Sequence, residues 1–320
     1  MMKPELLQVV RLMPALEARL AAAYTLHRLT DEVDPAAFLA AHGARFAGVV
    51  TSAGKGADAA LIDALPQLRV ISSFGVGLDK IDLSAAARRG VAVGYTPDVL
   101  NDCVADLAFG LLLAVARNIG AGERYVRRGD WVGAGLPAAS TFPLGRKVSG
   151  ARLGILGLGR IGRTVARRAS GFDMDVRYHN RRPVADVPWR HEPSLIELAR
   201  WSDYLVVIAA GGAETRHLVD ASVLDALGPR GFIVNVARGS VIDEAALVRA
   251  LVDKRIAGAG LDVFEHEPQV PAELFTLDNV VLVPHIASAT VETRQAMADR
   301  VFDNLESFFR DGRLLSDAAL

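Results

Sequence analysis

Short apolar runs alternate along this chain with longer segments whose apolar residues recur at helical spacing. Residues 46–50, 70–73 and 153–156 have the composition of buried parallel strands. The intervening segments open with helix signals such as Asp34-Pro35, in which the aspartate caps the first turn and the proline occupies its first position. Strands that alternate with helices predict parallel sheets joined by crossovers, and therefore an α/β fold.

The alternation runs through both halves of the chain, and 320 residues are enough for two domains. Between the halves, residues 104–116 are almost wholly apolar, which predicts a helix buried on nearly all of its faces. Such a helix suits a crossing between domains, a dimer interface or both. Residues 129–145 are rich in glycine, proline and alanine and predict a loop. We therefore expect two doubly wound domains, each with its own parallel sheet.

A glycine-rich turn follows the apolar run 153–156 and precedes an amphipathic segment at 163–170. The order of strand, Gly-x-Gly-x-x-Gly and helix is the context in which this motif predicts a dinucleotide site. Its first glycine allows a tight turn, its second lets the backbone approach a pyrophosphate, and its third lets the helix pack close to the strand. The alternative is a glycine turn that holds no ligand. The predicted cofactor-binding residues of the turn are Gly157, Gly159, Arg160, Ile161 and Gly162.

The residues after the next predicted strand indicate which dinucleotide binds. NAD sites usually place an acidic residue about 20 positions beyond the glycines, where it bonds the ribose 2′-hydroxyl. That place holds His179, which is followed by Asn180, Arg181 and Arg182. Because guanidinium groups suit a phosphate better than a neutral hydroxyl, we predict that residues 180–182 select NADP(H), with NAD(H) as a second cofactor. The alternative is an exposed basic turn without a ligand.

Composition narrows the class of protein without identifying it. Hydrophobic residues make up 51% of the chain and charged residues 23%, as is ordinary for a globular enzyme, and the net charge of -1 argues against a nucleic-acid or anionic-membrane surface. The single cysteine, Cys103, excludes an intrachain disulfide and fits a reducing compartment. No apolar stretch reaches the roughly 20 residues of a membrane span, and the sequence contains no metal-ligand motif. We expect a cytoplasmic protein that binds a small-molecule substrate and no metal.

Three chemically suitable side chains follow predicted strands in the second half. Arg238, Glu267 and His285 each come after such a strand, and the carboxyl ends of parallel strands converge on one crevice. An arginine binds a carboxylate and polarises a carbonyl, and a histidine protonates an oxygen that gains negative charge as a hydride arrives. A glutamate beside the histidine keeps it charged and oriented. Taken singly, each residue has an ordinary structural explanation, but together they indicate a catalytic group.

A second glycine pair follows a predicted strand of the first half. Residues 73–79 read Ser-Phe-Gly-Val-Gly-Leu-Asp, and the glycines allow the backbone to turn its amide groups towards an anion. A small carboxylate suits such a turn, although a plain glycine turn without a ligand explains the segment equally well. Binding of a substrate carboxylate is therefore one hypothesis for this loop.

These motifs together resemble the D-isomer-specific 2-hydroxyacid dehydrogenases along nearly the whole chain. The matching stretches are Gly-Ile-Leu-Gly-Leu-Gly-Arg-Ile-Gly at 154–162, Asn-Val-Ala-Arg-Gly at 235–239, Gly-Leu-Asp-Val-Phe-Glu-His-Glu-Pro at 260–268 and Pro-His-Ile-Ala-Ser-Ala-Thr at 284–290. The resemblance implies Arg238 as the residue that binds the substrate, His285 as the acid–base and Glu267 as its partner. Glu267 matches the family's acid, and Glu265 does not, because Glu267 directly precedes Pro268.

The resemblance also implies contacts that the residues alone do not indicate. Asp262 would orient the nicotinamide carboxamide, and the amides of Val76 and Gly77 would bind the substrate carboxylate. The other implied site residues are Ser288, on the substrate, and Val104, Ala237 and Arg238, on the cofactor.

The family's architecture is implied as well. Its substrate domain is flavodoxin-like and contains both chain termini, so we expect residues 1–98 and 287–320 to form one domain and residues 99–286 to form a Rossmann cofactor domain. Family members are usually homodimers built around the helix that matches 104–116. A homodimer is therefore expected here.

Within the family, the chain most resembles the NADPH-dependent glyoxylate/hydroxypyruvate reductases. The resemblance implies reduction of a small 2-oxo acid by NADPH to a D-2-hydroxy acid, with His285 delivering the proton. The chain departs from the family's pattern around Gly211 and at Ile286-Ala287. The resemblance therefore does not determine the contacts around Gly211 or the shape of the pocket wall at Ile286-Ala287. The alternatives are a reductase for a bulkier acid, such as 2-ketogluconate or hydroxyphenylpyruvate, and a dinucleotide-sensing protein without activity.

Overall fold

The computed structural model describes residues 3–134 and 142–318, which form two compact units. One unit comprises Met1–Leu100 and Ala289–Leu320, and the other comprises Asn101–Ser288. Both boundaries fall two residues later than the domain boundaries expected from the sequence.

The first unit is built on a parallel sheet whose described strands are β1 (Glu5–Gln8), β2 (Thr25–Arg28), β3 (Gly48–Ser52), β4 (Val70–Phe74) and β5 (Ala92–Gly94). Their spatial order is β2-β1-β3-β4-β5. This is the flavodoxin-like order of a doubly wound fold, because successive strands are added first on one side of β1 and then on the other. Every residue of β4 is buried, as the sequence pattern of a parallel strand requires.

The described helices of this unit are α1 (Pro14–Ala23), α2 (Pro35–His42), α3 (Ala59–Asp63), α4 (Leu83–Arg88) and α12 (Val291–Asp311). Three of them begin at aspartates, since Asp34, Asp58 and Asp82 each accept a hydrogen bond from an amide of the first turn. Helix α12 comes from the C-terminal part of the chain and packs on β4. There Ser72 Oγ donates to the carbonyl oxygen of Val301 at 3.1 Å.

The second unit contains a larger parallel sheet. Its described strands are β6 (Arg152–Leu156), β7 (Asp175–His179), β8 (Arg190–His191), β9 (Tyr204–Val207), β10 (Phe232–Asn235), β11 (Gly258–Leu261) and β12 (Val280–Leu282). Their order is β12-β11-β10-β9-β6-β7-β8, so the strand order reverses between β6 and β9. Doubly wound sheets bind ligands in the crevice at the carboxyl ends of such a pair. Both sheets therefore have the α/β architecture predicted from the sequence.

The described helices of the second unit are α5 (Asn101–Ala116), α6 (Ile119–Arg127), α7 (Asp130–Ala134), α8 (Arg160–Ala169), α9 (Leu195–Trp201), α10 (Ala221–Leu227) and α11 (Glu244–Val252). Helix α5 packs on β10 and β11, where a Cβ added to Gly260 would lie 2.9 Å from the Leu111 Cβ. On another face of α5, Asp102 and Asp106 are exposed and both bind Arg168. Within residues 104–116, however, only Asp106 and Gly110 are exposed, so the prediction of a helix buried on nearly all of its faces is confirmed.

Helix α7 occupies part of the segment 129–145, for which the sequence predicts a loop. That prediction is wrong over Asp130–Ala134, and residues 135–141 lie outside the described residues. In the described ranges, no single helix is long and apolar enough to cross a membrane, although α5 and α6, which are bent by 62° relative to each other, together meet the same criteria.

Candidate active site

The glycine-rich turn joins β6 to α8 at the crevice of the second sheet. Gly157 has a φ of +104°, and an added Cβ there would lie 2.7 Å from the amide nitrogen of Ala209. A Cβ on Gly162 would lie 2.1 Å from the carbonyl oxygen of Gly157, so the helix packs this closely only with glycine. Packing inside the protein therefore explains the first and third glycines of the motif.

Gly159 is different, because a Cβ at this position would meet no atom within 4 Å. It leaves open space beside the first turn of α8, whose amides are not used by the helix itself. Those amides belong to Arg160, Ile161 and Gly162. Since a helix N-terminus favours an anion, the turn fits the pyrophosphate of a dinucleotide.

Asn180 links the end of β7 to this glycine turn. Its side-chain Oδ1 accepts a hydrogen bond from the Leu158 amide at 2.7 Å, and the carbonyl of His179 accepts one from the Gly157 amide at 3.0 Å. The structure thus gives Asn180 a role in holding the turn that the sequence did not indicate. Its predicted contact with the cofactor stays a prediction.

Arg181 and Arg182 extend from the same loop, and we call residues 180–182 the basic turn. The Arg181 guanidinium, 81% exposed, forms an ion pair with Glu214, which is 73% exposed and lies in the loop after β9. Within the described part of the chain, the side chain of Arg182 has no hydrogen-bond or ion-pair partner. One arginine of the basic turn is therefore engaged by a carboxylate and the other is available to a ligand.

Asn235 fixes the turn that carries Arg238 after β10. This buried side chain accepts a hydrogen bond from the Ala237 amide at 3.0 Å and donates one to the carbonyl oxygen of Arg238 at 3.0 Å. The Arg238 guanidinium in turn donates to the carbonyl oxygen of Ala237 at 2.8 Å. Gly239 lets the turn lie against the loop after β11, since an added Cβ would be 1.9 Å from the carbonyl carbon of Phe264. The backbone of Arg238 is therefore held on both sides.

His285 and Glu267 form a hydrogen-bonded pair near the carboxyl ends of β11 and β12. The distance from His285 Nδ1 to Glu267 Oε2 is 2.7 Å, and Glu267 Oε1 accepts from the Phe264 amide at 3.1 Å. The histidine side chain is 44% exposed and that of the glutamate 36%. Because Nδ1 is engaged by the carboxylate, Nε2 is the ring nitrogen that can exchange a proton with a ligand. We call Arg238, Glu267 and His285 the acid–base group.

Electrostatic interactions connect the members of the acid–base group. Burial raises the pKa of the Glu267 carboxyl, but the hydrogen bond and charge of His285, the Phe264 amide and the charge of Arg238 together outweigh burial, so its pKa lies below the ordinary value. Glu267 is therefore ionised at neutral pH. Its carboxylate orients the imidazole and stabilises the positive charge that the ring carries when protonated.

Asp262 holds the backbone of the loop that carries His285. Its carboxylate, which is fully buried, accepts hydrogen bonds from the amides of Ile286 at 2.6 Å and Ala287 at 3.0 Å, and its carbonyl accepts one from the His285 amide at 2.9 Å. Burial raises the pKa of Asp262, although these two amides oppose the rise. His285 has a φ of +53°, which side-chain-bearing residues rarely adopt, and the three hydrogen bonds maintain it.

An apolar cavity of about 270 Å³ lies beside this pair, wholly within the second unit. His285 and Glu267 contribute to its wall, and the rest is mainly apolar, with Phe264, Val270 and Phe275 among the lining residues. The cavity has room for an apolar group of a small molecule next to the imidazole. In the described ranges, no cluster of three or more potential ligands could hold a metal ion.

Comparison with known proteins identifies the family. A model described as "D-isomer specific 2-hydroxyacid dehydrogenase, NAD binding domain" matches residues 109–287. The chain is 49% identical to a hydroxyphenylpyruvate reductase from Plectranthus scutellarioides and 46% identical to a glyoxylate/hydroxypyruvate reductase from Arabidopsis thaliana, each over 301 residues and 94% of both chains. The chain belongs to the D-isomer specific 2-hydroxyacid dehydrogenases. It is therefore an NAD(P)-dependent oxidoreductase, as the sequence resemblance predicted.

A solved structure supports the same assignment for this 2-hydroxyacid dehydrogenase. The NADPH-dependent glyoxylate/hydroxypyruvate reductase from Sinorhizobium meliloti, determined with NADP and malonate, is 43% identical, with a TM-score of 0.91 and coverage of 99% of this chain and 97% of that chain. A 2-hydroxyacid dehydrogenase from Ketogulonicigenium vulgare is also similar, at 46% identity and a TM-score of 0.91. The predicted fold class, a flavodoxin-like domain and a Rossmann domain, is thus confirmed.

The second unit of this dehydrogenase brings together part of the predicted site. The acid–base group, Asp262 and Ala237 lie around the ends of β10, β11 and β12, whereas the glycine turn and the basic turn follow β6 and β7. Val104 is buried within α5, and Ser288 is the last residue of the unit. The contacts that the sequence predicts for all of these residues with cofactor and substrate stay predictions.

Val76 and Gly77 belong to the first unit, where they follow β4 and are partly exposed. Among the described residues, neither amide donates a hydrogen bond to a protein acceptor. The preceding residue, Gly75, has a φ of +136°, and Thr96 Oγ1 accepts a hydrogen bond from its amide at 3.1 Å. The two amides therefore have the hydrogen-bonding capacity that the predicted carboxylate contact requires.

Sequence reasoning missed Asn235, Gly239 and Glu214. Asn235 carried a usable signal, because it is a polar residue at the end of an apolar strand and a buried amide needs partners. Gly239 also stood in a family motif, but only the structure shows that a Cβ would collide with Phe264. No local sequence pattern indicates a role for Glu214, because its contact with Arg181 spans 33 positions of the chain.

Proposed function

We propose that this dehydrogenase reduces the small 2-oxo acids glyoxylate and hydroxypyruvate to the corresponding 2-hydroxy acids, with D configuration where the product is chiral, and with NADPH as the preferred reductant. The main support for this proposal is the hydrogen bond of 2.7 Å between His285 Nδ1 and Glu267 Oε2. It positions a proton donor at the edge of the same sheet that contains the glycine turn. The names of the relatives from Arabidopsis thaliana and Sinorhizobium meliloti support the choice of substrates.

The chain's residues divide the reaction between binding and proton transfer. Arg238 binds the substrate carboxylate and polarises the carbonyl. A bound dihydronicotinamide would supply the hydride that the carbonyl carbon gains. His285 Nε2 delivers a proton to the carbonyl oxygen, so that the C=O bond becomes a hydroxyl group. Glu267 orients the imidazole, and Asp262 maintains the backbone conformation that presents it.

The preference for NADPH rests on the basic turn. Arg182 is exposed and carries no protein partner within the described residues, so its guanidinium is available to the 2′-phosphate. The NADP complex of the Sinorhizobium meliloti relative supports this assignment. NADH is the second cofactor that we expect the protein to accept.

The remaining assignments follow the family. We assign substrate binding to the first unit, through the amides of Val76 and Gly77, and cofactor binding to the second unit, with Ser288 at the substrate. A homodimer is supported by apolar side chains that α6 and α7 leave exposed, namely Ile119, Val126, Trp131 and Val132. A cytoplasmic location stays a prediction from the single cysteine.

A bulkier 2-oxo acid is the second candidate substrate. The cavity of about 270 Å³ beside His285 is lined mainly by apolar groups and includes Phe264 and Phe275, which favours an aromatic or aliphatic side chain. Relatives named hydroxyphenylpyruvate reductase and 2-ketogluconate reductase, at 49% and 44% identity, support this alternative.

Initial rates of NADPH oxidation test both candidates. We would compare glyoxylate, hydroxypyruvate, 4-hydroxyphenylpyruvate and 2-ketogluconate in parallel, and repeat each reaction with NADH. Higher kcat/KM for glyoxylate and hydroxypyruvate with NADPH supports the proposed function. A clear preference for 4-hydroxyphenylpyruvate or 2-ketogluconate would favour the second candidate. Absence of turnover with all four acids, in a protein that binds NADPH, would contradict both and favour a dinucleotide sensor.

A further inference from the structure

Glu214 supplies an acidic side chain to the dinucleotide end of the sheet where the sequence places none. His179, the last residue of β7, holds the place where NAD sites usually have an acid. Glu214 comes instead from the loop after β9, yet its carboxylate contacts the Arg181 guanidinium of the basic turn. Since β7 and β9 flank β6 on opposite sides, this ion pair connects the two loops on either side of the glycine turn.

The loop that carries Glu214 is held by specific contacts. Ala213–Thr215 form a single turn of 3-10 helix, and Thr215 Oγ1 donates to the carbonyl of Ala210 at 2.7 Å. After this turn, Arg216 and His217 bind Glu265 at 2.6 and 2.8 Å, and the Glu265 side chain is 9% exposed. The backbone that presents Glu214 is therefore anchored on both sides, although the carboxylate itself is exposed.

We propose that Glu214 makes this dehydrogenase accept both nicotinamide dinucleotides, by binding the ribose 2′-hydroxyl of NADH and by opposing the 2′-phosphate of NADPH. A carboxylate accepts a hydrogen bond from a hydroxyl group. In NAD sites, the acid at the end of the strand that corresponds to β7 binds the ribose in this way. The same carboxylate repels a phosphate and competes with it for the Arg181 guanidinium. The inference rests on the proposed function only in that the chain binds a nicotinamide dinucleotide.

Opposite effects on the two cofactors distinguish this role from a structural one. In Glu214→Gln we expect the Kd for NADPH to fall and the Kd for NADH to rise, each by about twofold to fivefold, as is usual for an exposed charge. The NADPH effect should diminish as ionic strength rises, because exposed charges are screened. Arg181→Gln should weaken NADPH binding and leave the Kd for NADH within about twofold of the wild-type value.

Titration calorimetry of the full-length protein with NADPH and with NADH measures these constants without turnover. Glu197→Gln is the matched control, because Glu197 forms an exposed ion pair with Arg200 on α9, and it should leave both Kd values unchanged. Equal Kd values in Glu214→Gln and wild type, or shifts of both cofactors in the same direction, would overturn the inference. Opposite shifts in a protein without 2-oxo acid turnover would support the inference and contradict the proposed function. Absence of dinucleotide binding in the wild type would contradict the proposed function itself.

Discussion

The acid–base group and the basic turn belong to the same sheet but are held in different ways. Arg238 and His285 lie on backbone segments fixed by buried polar side chains, Asn235 and Asp262, which bind amides and carbonyls at 2.6–3.0 Å. The basic turn presents Arg181 and Arg182 to solvent on long side chains. Proton delivery depends on angstrom-scale placement, whereas a guanidinium can reach a phosphate from several conformations.

This comparison predicts that substitutions in the two regions affect different quantities. Removal of the His285 imidazole should reduce kcat and leave the affinity for NADPH unaltered. Changes in the basic turn should reduce the affinity for NADPH and leave kcat at saturating cofactor unaltered. Substitutions of His285 and Asp262 on one side, and of Arg182 on the other, test this separation.

Removal of the proton donor should have the largest effect. We expect His285→Ala to lower kcat about 10²–10⁴-fold, because general acid catalysis contributes about that much, while the Kd for NADPH stays at the wild-type value. His266→Ala is a matched control, since His266 is exposed and adjacent to Glu267 in sequence. Steady-state kinetics with glyoxylate measure kcat. Wild-type turnover in His285→Ala would exclude this residue as the proton donor.

Replacement of Asp262 tests whether the backbone of the His285 loop must be held. In Asp262→Asn, an NH₂ group replaces one of the two oxygens that accept hydrogen bonds from backbone amides. One buried amide is then left without an acceptor, which costs about 1–3 kcal/mol of free energy. We expect kcat to fall about tenfold. Asp220→Asn is the control, because Asp220 accepts two amide hydrogen bonds through its Oδ1 alone and only caps α10. An equal loss of kcat in both variants would argue against a specific role for Asp262.

The Glu267–His285 pair should make the free energy of unfolding depend on pH in the acidic range. The folded-state pKa of Glu267 is lowered, so the pair stabilises the protein above the ordinary glutamate pKa, and this contribution is lost as pH falls through the folded-state value. We expect the free energy of unfolding of the wild type to fall more steeply below about pH 4.5 than that of Glu267→Gln. Urea titrations at several pH values measure both slopes. Parallel slopes would show that the pair adds no pH-dependent stability.

Loss of an exposed arginine should have the smallest effect. We expect Arg182→Ala to raise the Kd for NADPH about threefold to tenfold, with a weaker salt dependence, and to leave the Kd for NADH unchanged. Arg249→Ala on α11 is the control, because Arg249 is exposed on a helix outside the basic turn. Fluorescence titrations give both constants. Equal losses of NADPH and NADH affinity would mean that Arg182 does not recognise the 2′-phosphate.

The parts of this molecule that follow from local patterns were predictable from the sequence. The strand, glycine turn and helix around Gly157 depend on residues that are close together in the chain, as do the aspartate cap of α2 and the serine cap of α9. Helices α4 and α6 and the two-residue strand β8 were not anticipated. The strand is too short to show alternation, and α6 is a short helix with no side-chain cap.

Contacts between distant positions account for what the sequence did not reveal in the site. Glu267 and His285 were paired through a family motif, and the structure places their side chains 2.7 Å apart. No local pattern indicates that Asp262 holds the His285 loop, because this role requires a buried side chain that binds backbone amides 24 and 25 positions away. The ion pair of Arg181 and Glu214 likewise depends on how two strand ends are placed in the sheet.

The single-turnover rate of NADPH oxidation separates proton delivery by the acid–base group from cofactor binding by the basic turn. Enzyme preloaded with saturating NADPH is mixed rapidly with glyoxylate, and the wild type is compared with His285→Ala and Arg182→Ala. We predict a rate at least about 100-fold below wild type for His285→Ala and a wild-type rate for Arg182→Ala, because saturation removes a deficit in cofactor binding but not a deficit in proton transfer. A wild-type rate in His285→Ala, or an equal loss in both variants, would contradict the assignment of catalysis to the acid–base group.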